Sequence, residues 1–266
     1  MVFSSVKLYL FTGTGNTFLI ARHIAEVLQS NGKTVSLHRM EKSPPGRLEH
    51  EEELLGLAFP VACGASYPSA IRFLEELPDG HGREVFMFVT FGHFSAGLQG
   101  PVGKLLLKKG YRLKGAEAFK MPDNFPSHPL SEIERAALLK SALEGATLFA
   151  ADLLAERAEW KKGIPLLSDW LYGFGKTARP WNAVKKKIPI HLNKPACIRC
   201  GRCYRLCPNK SITIPDYPSI DAETCEICLR CLRFCPTRAL TISRPQAEPG
   251  NGLSYDDFMR AFRKSR

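Results

Sequence analysis

Eight of the nine cysteines fall in two runs, Cys197, Cys200, Cys203, Cys207 and Cys225, Cys228, Cys231, Cys235. Each run reads C-x2-C-x2-C-x3-C and is followed by proline. Three thiolates spaced by two residues let one loop wrap three adjacent corners of an iron–sulfur cube. The fourth lies past a short turn and points away, toward a second cube. On this spacing one [4Fe–4S] cluster takes Cys197, Cys200, Cys203 and Cys235, and the other takes Cys225, Cys228, Cys231 and Cys207. Pro208 and Pro236 end the local helical turns. Zinc is the competing assignment, but structural zinc usually takes two separated pairs of ligands. Disulfides fit neither the tight spacing nor the expected compartment.

The two runs belong to a longer repeat. Residues 197–214 and 225–242 match at a constant offset of 28, with four Cys, two Arg, one Pro, one Thr and one Ile identical. Arg199, Arg202, Arg205, Arg230 and Arg233 stand between the ligands, and 194–244 holds nine basic and four acidic residues. Positive charge beside a cluster favours its reduced form, so potentials higher than in an acidic analogue are expected.

A second chemical feature lies near the N-terminus. Thr12, Gly13, Thr14, Gly15, Asn16 and Thr17 connect the first strand pattern to the first helix pattern. A helix N-terminus offers backbone N–H groups and a positive dipole end to phosphate, glycines permit close approach, and threonine hydroxyls add donors. No Gly-Lys-Ser/Thr follows, which excludes a Walker loop, and Phe18 stands where a dinucleotide fingerprint wants glycine. A capped helix start without ligand is the plainer alternative. Cys63, outside both runs, reads as a small apolar residue at a strand end rather than a reactive thiol.

These features need a scaffold. Strand patterns at Ser5–Phe11, Thr34–His38, Leu54–Val61, Glu84–Phe91 and Gly115–Met121 alternate with helical ones at Thr17–Gln29, Ala70–Leu77 and Leu98–Lys109. Such alternation, with continuous apolar strands, predicts an α/β fold with a doubly wound parallel sheet. Ser131–Trp160 reads as one long helix with an acidic first turn. Residues 161–190 break the pattern with glycines and prolines, but Trp170, Tyr172, Phe174 and Trp181 predict a linker packed between domains. Ser254–Lys264 reads as a short helix in a tail. The expected division is 1–160, a linker 161–190, a small α+β cysteine domain 191–244, and a tail 245–266.

The formal net charge of +11 predicts acidic partners. Basic residues are scattered apart from Lys185–Lys187, and no nucleic-acid-binding motif accompanies them, so no nucleic acid is expected. No apolar run reaches eighteen residues, so no transmembrane segment is expected. Met1–Phe11 lacks the features of a signal peptide, and nine cysteines without secretion signals point to the cytoplasm.

The T-x-T-G-x-T arrangement resembles the flavodoxin phosphate loop, which holds the 5′-phosphate of FMN, and the cysteine runs resemble bacterial two-cluster ferredoxin domains over about 190–244. The whole order, with Met121-Pro122-Asp123-Asn124-Phe125 after the last strand, resembles a family of flavodoxin–ferredoxin fusion proteins. The resemblance implies FMN and two [4Fe–4S] clusters. It also implies that the loops Pro60–Pro68 and Thr90–Gly97 flank the flavin ring. Gly64, Tyr67, Thr90, Phe91, Gly92, His93 and Gly97 are then the ring neighbours, with Tyr67 stacked on it, although no large aromatic occupies position 62 or 64. His93 reads equally as a surface histidine. The function implied is electron transfer between flavin and clusters, serving redox protein partners. The alternatives are a reductase of a small-molecule acceptor and, last, an iron–sulfur redox sensor.

Overall fold

The computed structural model describes residues 3–42, 53–124, 130–161, 163–243 and 253–262. Its first part alternates β1 (Ser5–Leu10), α1 (Asn16–Ser30), β2 (Thr34–Arg39), β3 (Glu53–Pro60), α2 (Pro68–Glu75), β4 (Glu84–Phe91), α3 (Gln99–Lys108), β5 (Arg112–Lys120) and α4 (Glu132–Leu154). Then come α5 (Leu167–Gly175), α6 (Ala178–Lys187), β6 (Ile190–Leu192), α7 (Arg202–Leu206), β7 (Ile212–Thr213) and β8 (Ser219–Ile220). The last elements are α8 (Arg230–Arg233), β9 (Leu240–Ile242) and α9 (Tyr255–Ala261).

The five long strands form one parallel sheet in the order β2-β1-β3-β4-β5. This is the doubly wound, flavodoxin-like order. Residues of β1, β3 and β4 alternate between two hydrophobic layers, which is why these strands read as unbroken apolar runs. One layer packs Phe18, Ile20, Ile24 and Leu28 of α1 and Phe149 and Leu153 of α4 under Leu8, Leu10, Phe86 and Phe88. The other packs α2 and α3 under Leu55, Leu57, Met87 and Val89. Strand order reverses between β1 and β3, so the loops leaving them open a crevice at the strand C-termini.

Two segments differ from the sequence expectation. α4 ends at Leu154, and 158–160 runs instead along the edge strand, where Ala116 N–H donates to Glu159 O at 2.9 Å. The 161–190 segment holds two helices. Trp170 and Phe174 are helically spaced and stack at 5.7 Å. Pro180 sits in the first turn of α6, where no N–H partner is lost. Trp181 is buried against Tyr67, and Ile188 joins the core of the cysteine unit. Among the described residues no helix is long and apolar enough to cross a membrane.

The cysteine unit shows its repeat in the backbone. β6 pairs with β9 and β7 with β8, both antiparallel. Left-handed residues recur 28 apart: Arg199 and Ile227 (φ 55° and 51°), Gly201 and Leu229 (71° and 61°), Lys210 and Arg238 (55° and 53°). These conformations are costly for non-glycine residues, so their repetition marks a geometry the loops must keep.

The tail helix α9 closes the molecule. Its start matches the expected Ser254, whose side chain accepts from Asp257 N–H, while Lys264 lies outside the described residues. Phe258, fully buried, meets Phe18 of α1 at 5.9 Å and Phe234 of the cysteine unit at 5.0 Å. Phe258→Ala is expected to cost about 3–5 kcal/mol, read as a lowered denaturant midpoint. His38 on β2 lies against Tyr9, and burial, with Lys7 nearby, pulls its pKa down to about 4. The unfolded chain therefore binds this proton first as pH falls from 6.5. The stabilisation is complete above that value and is lost as pH drops through about 4. His38→Gln should flatten the decline in urea stability between pH 7 and 5.

Candidate cofactor cleft and cysteine cavities

The β1–α1 loop forms one wall of an open cleft of about 60 Å³. Thr12, Gly13, Thr14, Asn16 and Thr17 line it from one side, and Tyr67, Thr90, Phe91 and Gly92 from the loops after β3 and β4. Gly15 takes φ 111° as N-cap of α1, so the helix dipole points its positive end here. The loop is tied down by side chains: Thr17 Oγ1 meets Thr90 Oγ1 at 2.8 Å, Thr14 Oγ1 donates to Asn124 Oδ1 at 2.8 Å, and Asn16 Nδ2 donates to Pro122 O at 2.9 Å. Thr12 Oγ1 is buried with no hydrogen-bond partner among the described residues. An orphaned buried hydroxyl at a helix N-terminus suits an anionic ligand that accepts from it.

Pro60, Val61, Met121, Pro122, Asp123 and Asn124 complete the lining, and the chemical roles of Asp123 and Asn124 were not read from sequence. Only the resemblance of the 121–125 segment pointed there, and Phe125 lies outside the described residues.

Three expected ring neighbours, Gly64, His93 and Gly97, are not among the residues that line the cleft. Gly64 shares a tight turn with Cys63, closed by reciprocal Ala62–Ala65 bonds of 2.9 Å, and packs under the Leu171 carbonyl of α5. Gly97 packs against Ser168 and Gly163. His93 is exposed and pairs with Asp123 at 2.8 Å. Tyr67 borders the cleft, with its ring between Phe11 (5.1 Å) and Trp181 (5.4 Å) and only 8% exposed. Burial pushes the Cys63 thiol up to about 11, in keeping with an unreactive side chain.

The cysteines line two separate small cavities, each of about 20 Å³. Cys197, Cys200, Cys203 and Cys235 border the first, and Cys207, Cys225, Cys228 and Cys231 the second. Ser211 N–H donates to Cys207 Sγ and Ala239 N–H to Cys235 Sγ, each at 3.2 Å, and these bonds are again 28 residues apart. Among the described residues no three His, Cys, Asp or Glu side chains converge to hold a single metal ion. Burial pushes the Cys228 thiol up to about 12, so ligation there must displace a proton. At Cys235 burial acts the same way, but N–H groups of Ala239, Leu240 and Thr237 outweigh it and hold the thiol below its ordinary value.

The cleft and the second cavity share a wall. A Cβ on Gly13 would stand 2.1 Å from the carbonyl oxygen of Cys228, so only glycine lets the two loops touch. Arg230, 1% exposed, donates from Nε and Nη2 to Thr12 O (3.0 and 2.7 Å) and from Nη1 to Leu206 O (3.2 Å). It also pairs with buried Glu41, and its guanidinium lies 5.3 Å from the Phe11 ring and 5.6 Å from that of Phe258. A second tie joins Glu226 to the start of α2. Its Oε1 accepts from Ser69 N at 2.6 Å and lies 2.7 Å from Ser69 Oγ, beside the helix's positive end. Burial raises the Glu226 pKa despite these bonds. Neither Arg230 nor Glu226 was singled out as an interdomain residue, because their partners lie 218 and 157 residues away.

Residues 196–250 match the family model of the 4Fe-4S dicluster domain. Fold and match together fit a flavodoxin–ferredoxin fusion. Solved structures similar to the N-terminal part include an archaeal flavodoxin, with 12% identity, coverage of 57% of this chain and 98% of that chain, and TM-score 0.44. Flavodoxin 1 from Bacillus cereus gives 13%, 57%, 97% and 0.44, and two-electron reduced Megasphaera elsdenii flavodoxin 23%, 52%, 98% and 0.40. At such scores the fold rests on the strand order itself. No curated protein matches the chain.

The repeat provides an internal control for Arg230. Its counterpart Arg202 stacks on Tyr255 at 4.4 Å and is not fully buried. Arg230→Gln leaves Glu41 buried without its cation and is expected to cost about 3–5 kcal/mol in denaturant unfolding. Arg202→Gln should cost under about 1 kcal/mol, and Arg230→Gln with Glu41→Gln should recover part of the loss.

Proposed function

We propose that this chain is an electron-transfer flavoprotein in which FMN and two [4Fe–4S] clusters form one relay. The observation that carries the reading is the contact of Gly13 with Cys228, which puts the phosphate loop against a cluster-ligand loop within one polypeptide. Thr12–Thr17 at the head of α1 would hold the FMN phosphate, Thr12 Oγ1 supplying the donor that otherwise lacks a partner. Two cavities, each bordered by four thiols at the C-x2-C-x2-C spacing with the fourth from the other run, suit cubes better than zinc, which usually takes two separated pairs. Flavin exchanges two electrons and each cluster one, so the fusion would link pairwise to single-electron partners.

The burial pattern supports an order for the relay. Cys228 and Cys231 are both 8% exposed, and Cys228 packs in the flavodoxin-like core beside Gly13, so Cys207, Cys225, Cys228 and Cys231 would hold the proximal cluster. Cys197, Cys200, Cys203 and Cys235 would hold the distal one, nearer solvent. Arg230 at the second cavity and Arg199 and Arg202 at the first, with the N–H bonds to Cys207 and Cys235, would stabilise the reduced states and raise both potentials. A small-molecule reductase would want open space over the loops after β3 and β4. There α5 packs on Gly64 and Gly97, and the relay is the better reading.

Protein purified without oxygen is expected to contain about eight irons, with matching sulfide, and about one FMN per chain. Four irons would refute the two-cluster assignment, and a flavin-free preparation that takes up no added FMN would refute the cleft.

A further inference from the structure

The duplication holds the same positions in two environments. In the second unit Glu226, Arg230 and Leu232 are buried, at 5%, 1% and 6% exposure, and Glu226 and Arg230 bond to the flavodoxin-like part. Their mates 28 residues earlier are Ile198, Arg202 and Tyr204. Ile198 is 63% exposed and Tyr204 53%. One face of the repeat is thus already an interface, while the equivalent face of the other unit carries an exposed aliphatic and an exposed aromatic side chain beside a cysteine cavity.

Charge narrows what fits there. Arg199 and Arg205 are exposed and make no ion pair with a carboxylate among the described residues. Their guanidinium groups are nonetheless held in place, Arg199 Nη2 donating to Tyr217 Oη and Arg205 Nη2 to Cys200 O, both at 2.9 Å. Pre-positioned cations around an apolar centre lose little freedom on binding, and they steer an oppositely charged partner.

We propose that the face formed by Ile198, Arg199, Tyr204 and Arg205 is the docking site for an acidic protein electron carrier, which exchanges single electrons with the distal cluster. The proposal rests on the two-cluster reading above. In the transfer one electron leaves the carrier's reduced centre and enters the cluster held by Cys197, Cys200, Cys203 and Cys235. The carrier is oxidised as that cluster is reduced, and no bond or proton changes place. At the inner interface Glu226 and Arg230 bond to groups of the same chain, whereas Arg199 and Arg205 face solvent.

The test is stopped-flow reduction of the oxidised full-length holoprotein by a reduced bacterial ferredoxin of strongly negative net charge, across a series of salt concentrations. The second-order rate constant is expected to fall steeply with salt in the wild type. It should drop about tenfold or more at low salt in Arg199→Glu with Arg205→Glu, and fall in Tyr204→Ala. Lysine at both arginine positions should keep most of the rate. Should the glutamate variant load poorly, Arg199→Gln with Arg205→Gln keeps the comparison, with a smaller drop expected. A fully loaded wild type whose rate ignores salt, or charge variants that react like wild type, would overturn the docking site and leave the cofactor assignment standing. A wild type lacking the second cluster would overturn both. A dimer in sedimentation, or binding to vesicles with anionic lipid, that is abolished by Tyr204→Ala without an effect on the ferredoxin rate would assign the face to a second copy or to a membrane instead, and so overturn the proposal.

Discussion

The carbonyl of Cys228 stands where a side chain on residue 13 would have to be. That close approach fixes how the two parts of the chain meet, and much of the remaining structure serves to hold it. Arg230 grips the Thr12 carbonyl from the cysteine side, Glu41 pairs with its charge, and Phe11 and Phe258 flank the guanidinium. Taking a guanidinium and a carboxylate out of water is costly, and a buried pair is weak evidence of net stability. Its value here is specificity of position: five hydrogen-bonding vectors in a planar fork define one arrangement of loop against loop.

The same constraint explains the segments that looked like connections. The α5–α6 pair carries Trp181 into the flavodoxin-like core and Ile188 into the cysteine-unit core. The tail returns to wedge Phe258 between Phe18 and Phe234. Linker and tail are therefore parts of the seam. The repeat holds two equivalent loops, and the second has Glu226 and Leu232 where the first has Ile198 and Tyr204. One copy faces inward and the other faces solvent.

Much of the architecture was legible because it is written in local periodicity. Continuous apolar strands between amphipathic helices predicted the parallel sheet, and the expected Glu84–Phe91 strand matches β4 residue for residue. The 28-residue offset was visible in the cysteines before it appeared in the backbone angles. What stayed hidden depends on distant partners. Gly64 and Gly97 looked like ring-loop glycines, but they pack against Leu171 and Ser168 of α5, 107 and 71 positions further along the chain. Tyr67 looked like a stacking residue, yet Trp181 takes one of its faces. Arg230 was one of five arginines between ligands, and its burial, its pair with Glu41 and its contact with Thr12 separate it from the others.

The central claim is that flavin site and proximal cysteine loop form a continuous path inside one chain. The direct measurement is flash reduction of the bound flavin, with cluster absorbance followed afterwards over a range of protein concentrations. The structure predicts a first-order transfer whose rate constant is the same at every concentration. A rate that rises in proportion to concentration would show electrons passing between molecules and would contradict the account.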